Sequence, residues 1–353
     1  MSYYLRKPYL KSLFPGILFI AALVSISGCD WMDASKKSFE SVAVEDVIAK
    51  SNLSQPVEYA YVAEGDALQK LDFYRYEGEG EVKRPVLVWI HGGEWVSGDK
   101  RMIDPIAFQI AGLGKYDLIS INYRLADDES APWPEIVNDV NSAIRWTKLN
   151  SETLGIDPDR IVLAGESAGA HLAAMAAFGS DSDELQGEDN PGPDTKVRAA
   201  VLFFGPYNMS SLVVQNNSSI KSGMCKDPES SSPVLELLDC PEPDAETYKI
   251  DSCDLKKVRT ADPCAYVDKS DPPAYIAHGQ HDCVVPWGQS KALHDELDDA
   301  GVRNVFVSVE NGEHSISTLQ IEPQNIVAFI QASFVNEKES VTDVWKPKPP
   351  TKQ

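Results

Sequence analysis

Basic residues are scarce in this 353-residue chain: 32 Lys and Arg stand against 54 Asp and Glu, a formal net charge of −22. Phosphate recognition needs clustered cations, so nucleic acid is excluded as a partner. The cysteines include no C-x-x-C and have no pair of histidines nearby, so no metal site, and no other cofactor, is expected. No internal repeat is present, which removes repeat architectures. Long apolar runs are also missing. The stretch Leu13–Ile26 is broken by Pro15 and Gly16 and falls short of a standard membrane-spanning helix. What is there, 43% hydrophobic residues, is enough for one large α/β domain or two ordinary ones.

Arg6, Lys7 and Lys11 precede the short apolar stretch, the layout of a secretory signal peptide over residues 1–28. It ends in Ile26-Ser27-Gly28-Cys29, which resembles a bacterial lipobox, whose cysteine is lipidated and becomes the mature N-terminus. Cys29 is the expected lipidation site. The expected location is the bacterial cell envelope, as a membrane-anchored lipoprotein on a periplasmic or extracytoplasmic face. The alternative is an ordinary signal peptide followed by a chance cysteine. Export suits the five other cysteines, Cys225, Cys240, Cys253, Cys264 and Cys283. In an oxidising compartment disulfides would staple a segment too polar to hold itself together. Five is odd, so one thiol is free or one pair involves Cys283, and the spacing does not choose among pairings.

Residues 29–55 are polar and without a period, and read as a tether. From there strands and helices alternate. Strands are expected at Val57–Val62, Leu68–Tyr76, Val86–Ile90, Asp117–Asn122, Ile161–Ala164, Val197–Phe204, Ala274–His278 and Val305–Val309. Helices are expected at Ile103–Gly112, Pro134–Asn150, the Ala-rich run after Gly169, Trp287–Ala300 and Ile321–Phe334. This alternation predicts an α/β domain over 56–335, its central sheet mostly parallel and covered by helices on both faces. Residues 206–262 exceed what a crossover needs and follow a strand end, where open α/β sheets bind ligands. That cysteine-containing insertion is a candidate lid; a solvated excursion away from the site is the other reading. The charged, Pro-rich tail 336–353 is expected to be disordered.

The chemistry centres on Gly165-Glu166-Ser167-Ala168-Gly169 between the strand Ile161–Ala164 and the helix. G-x-S-x-G in that context is a nucleophile elbow. Small residues two before and two after Ser167 let strand and helix nearly touch, and the helix N-terminus favours developing negative charge. A serine nucleophile needs a base and an acid to orient it. His314 follows the last strand, at the sheet edge that carries Ser167. Asp282 follows the preceding strand. The order Ser167, Asp282, His314 fits a triad, with Asp271 the competing acid and His278, His281 and His294 competing bases; His278 ends a strand and also reads as simply buried, and His294 lies in a polar helix and reads as solvated. His91-Gly92-Gly93-Glu94-Trp95 follows a buried strand, and its glycines let the backbone turn N–H groups toward the elbow. Gly93, Glu94 and Ala168 are the expected oxyanion donors. Trp95 and His281 are candidate substrate-binding residues. His91 and His171 read as structural.

These motifs, with Asn122-Tyr123-Arg124-Leu125-Ala126, the Trp133-Pro134 to Asp139 run and Gly155-Ile156-Asp157-Pro158-Asp159-Arg160-Ile161, resemble the α/β-hydrolase esterases. The branch they resemble is that of hormone-sensitive lipase and bacterial feruloyl and acetyl esterases. The resemblance runs from near Val57 to Phe334. It implies an α/β-hydrolase fold and a serine carboxylesterase acting on a small-molecule or carbohydrate-linked ester. Two other functions stand beside it: an amide hydrolase of arylformamidase type, and a non-catalytic binding protein on the same fold. The sequence departs from the pattern at Glu94, where many members have Gly, and in the insertion. For the N-terminus the expectation is concrete: Cys29→Ala moves the protein from the membrane pellet to the soluble fraction, and mass spectrometry of the wild type finds an acylated N-terminal cysteine.

Overall fold

The computed structural model describes residues 50–80, 82–126, 133–212, 215, 233–240 and 253–335. The expected signal peptide, Cys29, the tether up to residue 49, Cys225 and the tail lie outside these residues. Among the described residues eight strands form one sheet. They are β1 (Val57–Ala60), β2 (Lys70–Tyr74), β3 (Arg84–Ile90), β4 (Asp117–Ile121), β5 (Ile156–Glu166), β6 (Ala199–Phe203), β7 (Ala274–Gly279) and β8 (Asn304–Val309). Their spatial order is β1-β2-β4-β3-β5-β6-β7-β8. β2 runs antiparallel to both of its neighbours, and every other adjacent pair is parallel. The mostly parallel sheet expected from the sequence is therefore present.

Both faces are covered. Helices α1 (Pro105–Gly114) and α8 (Pro323–Phe334) enclose Trp89, Phe203 and Tyr275 on one face. On the other, α2 (Glu135–Leu149), α4 (Ala168–Phe178) and α7 (Gly288–Ala300) enclose Val88, Leu163 and Leu202. Between α2 and β5 lies the short α3 (Ser151–Leu154), which has too few residues to show a period. Every residue of α4 is buried. An Ala-rich helix apolar on all sides can sit that deep without steric cost. Helix α1 begins two residues later than its apolar pattern because Asp104 caps it, accepting from Ile106 N at 2.9 Å, and Pro105 occupies the first turn. Strand β5 extends beyond the expected Ile161–Ala164 because Arg84 N donates to Gly155 O at 2.9 Å and Arg84 pairs with Ile156.

An ion pair on a buried carboxylate joins the loop after β4 to α2. Arg124, in the loop after β4, presents its guanidinium to Asp139 on α2, with 2.8 Å from Nη2 to Oδ1 and 2.9 Å from Nε to Oδ2. Arg124 N and Gln69 Nε2 complete the carboxylate's shell at 2.9 and 2.7 Å. Asp139 is fully buried.

The described parts of the insertion are not polar throughout. Helices α5 (Pro233–Leu237) and α6 (Leu255–Thr260) bury Leu235, Leu237, Leu238 and Val258 in the same core as Trp95 and Trp133. A disulfide joins Cys240 to Cys253 across 13 residues of chain. Closing a loop of that size contributes about 3 kcal/mol in the chain-entropy account. Cys283 is also disulfide-bonded, and among the described residues Cys264 carries the free thiol. Arg124→Leu leaves a buried carboxylate without its cation. It should lower the unfolding free energy by about 3 kcal/mol, read from urea denaturation; adding Asp139→Leu should return part of that loss.

Candidate active site

The ends of four strands, β3, β5, β7 and β8, meet at the carboxyl edge of the sheet. From β5, Ser167 sits at φ 52°, ψ −123°, a backbone conformation that L-residues rarely hold. Its amide donates to Phe203 O at 2.9 Å, and His171 N donates back to Ser167 O at 3.1 Å. The small residues flanking it are required. A Cβ on Gly165 would lie 2.6 Å from Gly169 backbone, and one on Gly169 would lie 2.1 Å from Ile90 O. Ala168 opens α4, where backbone N–H groups have no partner within the helix.

From β3 comes the loop His91–Trp95. Gly93 has φ 116°, and Glu94 and Trp95 follow at φ 57° and 65°. A Cβ on Gly92 would touch Ser167 Cβ at 3.3 Å, so this loop lies directly against the elbow. His91 is a structural residue. Its ring stacks on Tyr123 with centroids 4.3 Å apart, and its Nδ1 donates to Gly92 O at 2.7 Å. Burial pushes its pKa down to about 4, so it stays neutral at neutral pH. Glu94 faces the site. Desolvation raises its carboxyl, the charge of His314 opposes that rise, and Glu236 on α5 adds to it.

Two successive non-Gly residues at positive φ need something to hold them. Trp95 is buried, 4% exposed, and donates from Nε1 to His171 Nδ1 at 3.1 Å. His171 in turn donates from Nε2 to Ala261 O at 2.8 Å, at the end of α6. Ala126 N closes the loop from the other side on Trp95 O at 2.8 Å. Burial takes the His171 pKa down to about 4, which leaves the ring neutral and Nδ1 free to accept. Trp95, a candidate for substrate contact in the sequence, thus has its indole N–H committed to the protein interior.

From β7 and β8 come the carboxylate and the imidazole. A Cβ on Gly279 would lie 2.1 Å from the Gly312 carbonyl carbon, so the two loops touch backbone to backbone. His281 N donates to Gly312 O at 2.9 Å, with its side chain exposed. Asp282 Oδ2 then accepts from His314 Nδ1 at 2.6 Å. Asp282 Oδ1 accepts from Val284 N and Val285 N, each at 2.9 Å. Burial alone would raise this carboxyl. The His314 charge and the hydrogen bonds from His278 and His314 overcome it and hold the group well below the usual carboxylate range. The Phe204 ring lies 4.5 Å from the His314 ring, and the preceding residue, Phe203, accepts from Ser167 N, so His314 and Ser167 each border one of two consecutive residues at the end of β6. Asp271, the competing acid, stands before β7 and caps its own turn, accepting from Asp268 N at 2.7 Å. The length of the strand, roughly 20 Å, separates it from His314.

Three contributors escaped the sequence reading. His278 read as a competing base or a buried strand end, and it lies against Asp282. Phe204 read as the end of a strand, and it flanks His314. Gly312 is the contact surface for Gly279. The Trp95 contact is open to direct test: Trp95→Phe removes a donor and leaves His171 Nδ1 unpaired in the core. It should destabilise the protein by about 1–3 kcal/mol in urea denaturation.

Known proteins similar to this chain are numerous. The chain is 31% identical over 271 residues to the esterase LipQ of Mycobacterium tuberculosis, an overlap covering 75% of this chain. It is 27% identical over 268 residues to the isoprenylcysteine alpha-carbonyl methylesterase ICME of Arabidopsis thaliana, covering 76% of this chain. The aligned part spans 58% of the length of each of these relatives. Among solved structures, a truncated carbohydrate esterase from gut microbiota superposes with a TM-score of 0.66 and 25% identity, over 80% of this chain and 98% of that one. The family model BD-FAE matches residues 71–297. With that match and this sheet order, the chain has the α/β-hydrolase fold and belongs to the BD-FAE family.

Proposed function

We propose that the protein is a serine carboxylesterase that hydrolyses short-chain or aryl carboxylic esters, free or carbohydrate-linked, through an acyl-enzyme. Ser167 Oγ attacks the ester carbonyl carbon as His314 Nε2 takes its proton. Asp282 holds Nδ1–H and stabilises the imidazolium that forms. The carbonyl oxygen becomes an oxyanion, bound by the N–H groups of Gly93, Glu94 and Ala168. Collapse of the tetrahedral intermediate breaks the bond to the alcohol, which leaves with the proton from His314. Water then attacks the acyl-enzyme by the same route, and the carboxylic acid departs.

The observation that carries this reading is the 2.6 Å bond from His314 Nδ1 to a buried, ionised Asp282. That bond fixes the tautomer, leaving Nε2 as the base. The names of the relatives, esterases and a carbohydrate esterase among them, support ester chemistry. Anchoring at the envelope membrane through lipidated Cys29 belongs to the same proposal and rests on the lipobox-like Ile26–Cys29.

A fluorophosphonate probe should label Ser167, and Ser167→Ala should reduce hydrolysis of nitrophenyl esters to background with the fold intact. Residual activity above a trace means another nucleophile. Asp282→Asn should lower kcat by about 10⁴-fold, the effect of losing the correct imidazole tautomer. A formamide that turns over faster than every ester of a chain-length series would replace the esterase reading by an amide hydrolase.

A further inference from the structure

His278 ends β7, is fully buried, and pairs in the sheet with Ser308 of β8. Its Nε2 lies 3.1 Å from Asp282 Oδ2 and 2.9 Å from Val285 O. A carboxylate and a carbonyl both accept, so Nε2 carries the proton and divides it between them. Nδ1 lies 2.7 Å from Ser290 Oγ on α7, and in the neutral ring it accepts the hydroxyl proton. Ser290 therefore fixes the tautomer of His278. Asp282 Oδ1 is already filled by two backbone amides, so the two imidazoles share the remaining oxygen, Oδ2.

We propose that His278 is a positioning residue for the triad: a second imidazole on Asp282 Oδ2 that holds the carboxylate in line and limits its pull on His314. The inference rests on the reading that Asp282 and His314 serve Ser167. A histidine needed for packing alone could satisfy its N–H on Val285 O. This one also reaches the oxygen that His314 uses. A donor on Oδ2 draws off negative charge, so the Nδ1–H of protonated His314 is held less tightly. Removing the donor should reverse this and move the acid limb of the pH–rate profile upward. Three further titratable groups stand near the trio. Glu94 faces His314 from the β3 loop. His281 and Glu313 lie on the two loops themselves, and α7 and β8 present only the neutral hydroxyls of Ser290 and Ser308 next to His278.

The test compares kcat and kcat/KM against pH for a nitrophenyl ester in the wild type, His278→Met, His278→Gln and Ser290→Ala, with melting curves for each. In His278→Met the acid limb should rise by roughly 0.5–1 pH unit and kcat at the optimum should fall about tenfold. His278→Gln places an amide N–H near the Nε2 position and should restore most of both. Ser290→Ala lets the ring take the other tautomer and should move the limb in the same direction by a smaller amount. A folded His278→Met with the wild-type limb and kcat overturns the proposal, as does a limb that moves down. If His278→Met does not fold, an unmoved limb in Ser290→Ala overturns it. A wild type whose activity survives Ser167→Ala sinks the triad reading and this inference with it. An active, Ser167-dependent enzyme whose limb ignores position 278 sinks the inference alone.

Discussion

Backbone meets backbone at the carboxyl edge of the sheet, and the site depends on that contact. Gly169 sits where a Cβ would strike Ile90 O, Gly165 where one would strike Gly169, and Gly279 where one would strike Gly312. Each contact joins two segments that carry chemistry: the β3 loop to the elbow, the elbow strand to its helix, and the Asp282 loop to the His314 loop. A single methyl group at any of them pushes backbone against backbone, and no side chain can rotate away to relieve it. Reaction geometry tolerates displacements well under 1 Å, so these closures matter more to the proposed chemistry than to the sheet.

Strain gathers at the same edge. Ser167, Glu94, Trp95 and Phe204 all have positive φ without being glycine. Such residues persist where the surroundings over-determine them. For Ser167 the determinants are Phe203 O on one side and His171 N on the other. For Glu94 and Trp95 they are the buried indole, its bond to His171, and Ala126 N on the Trp95 carbonyl. His171 links the β3 loop, the elbow helix and, through Ala261 O, the insertion. The insertion is thus tied to the backbone from which the proposed oxyanion donors come. The Cys240–Cys253 disulfide fastens the segment carrying α5 to the start of the segment carrying α6.

Electrostatics follow from the same burial. Asp282 is kept ionised in a desolvated place because two imidazoles and two amides point at it. Glu166, next to the nucleophile in sequence, has no such set of donors among the described residues. Desolvation and the like charge of Asp104 push its carboxyl up to about 8, so Glu166 is largely neutral at pH 7 while Asp282 is charged.

The alternation of apolar strands with helices, the G-x-S-x-G elbow and the order Ser167, Asp282, His314 are local patterns, and the sequence alone determined them. Period and spacing report what each residue's neighbours along the chain demand, and Gly165 and Gly169 had to be small whatever lay above them. Helix starts moved by a residue or two because a cap such as Asp104 outweighs an apolar pattern. The tertiary structure decided what depends on residues far apart in the chain. Asp271 and Asp282 lie eleven positions apart and look alike in sequence, and the length of β7 is what puts only one of them beside His314. The sequence offers Trp95 for substrate contact, and only the fold shows that its indole N–H goes to His171, 76 positions away. The Cys240–Cys253 pairing and the role of His278 belong to this second class as well. A hydrogen bond or a disulfide is set by distances across the fold, and the one-dimensional order of the chain does not contain those distances.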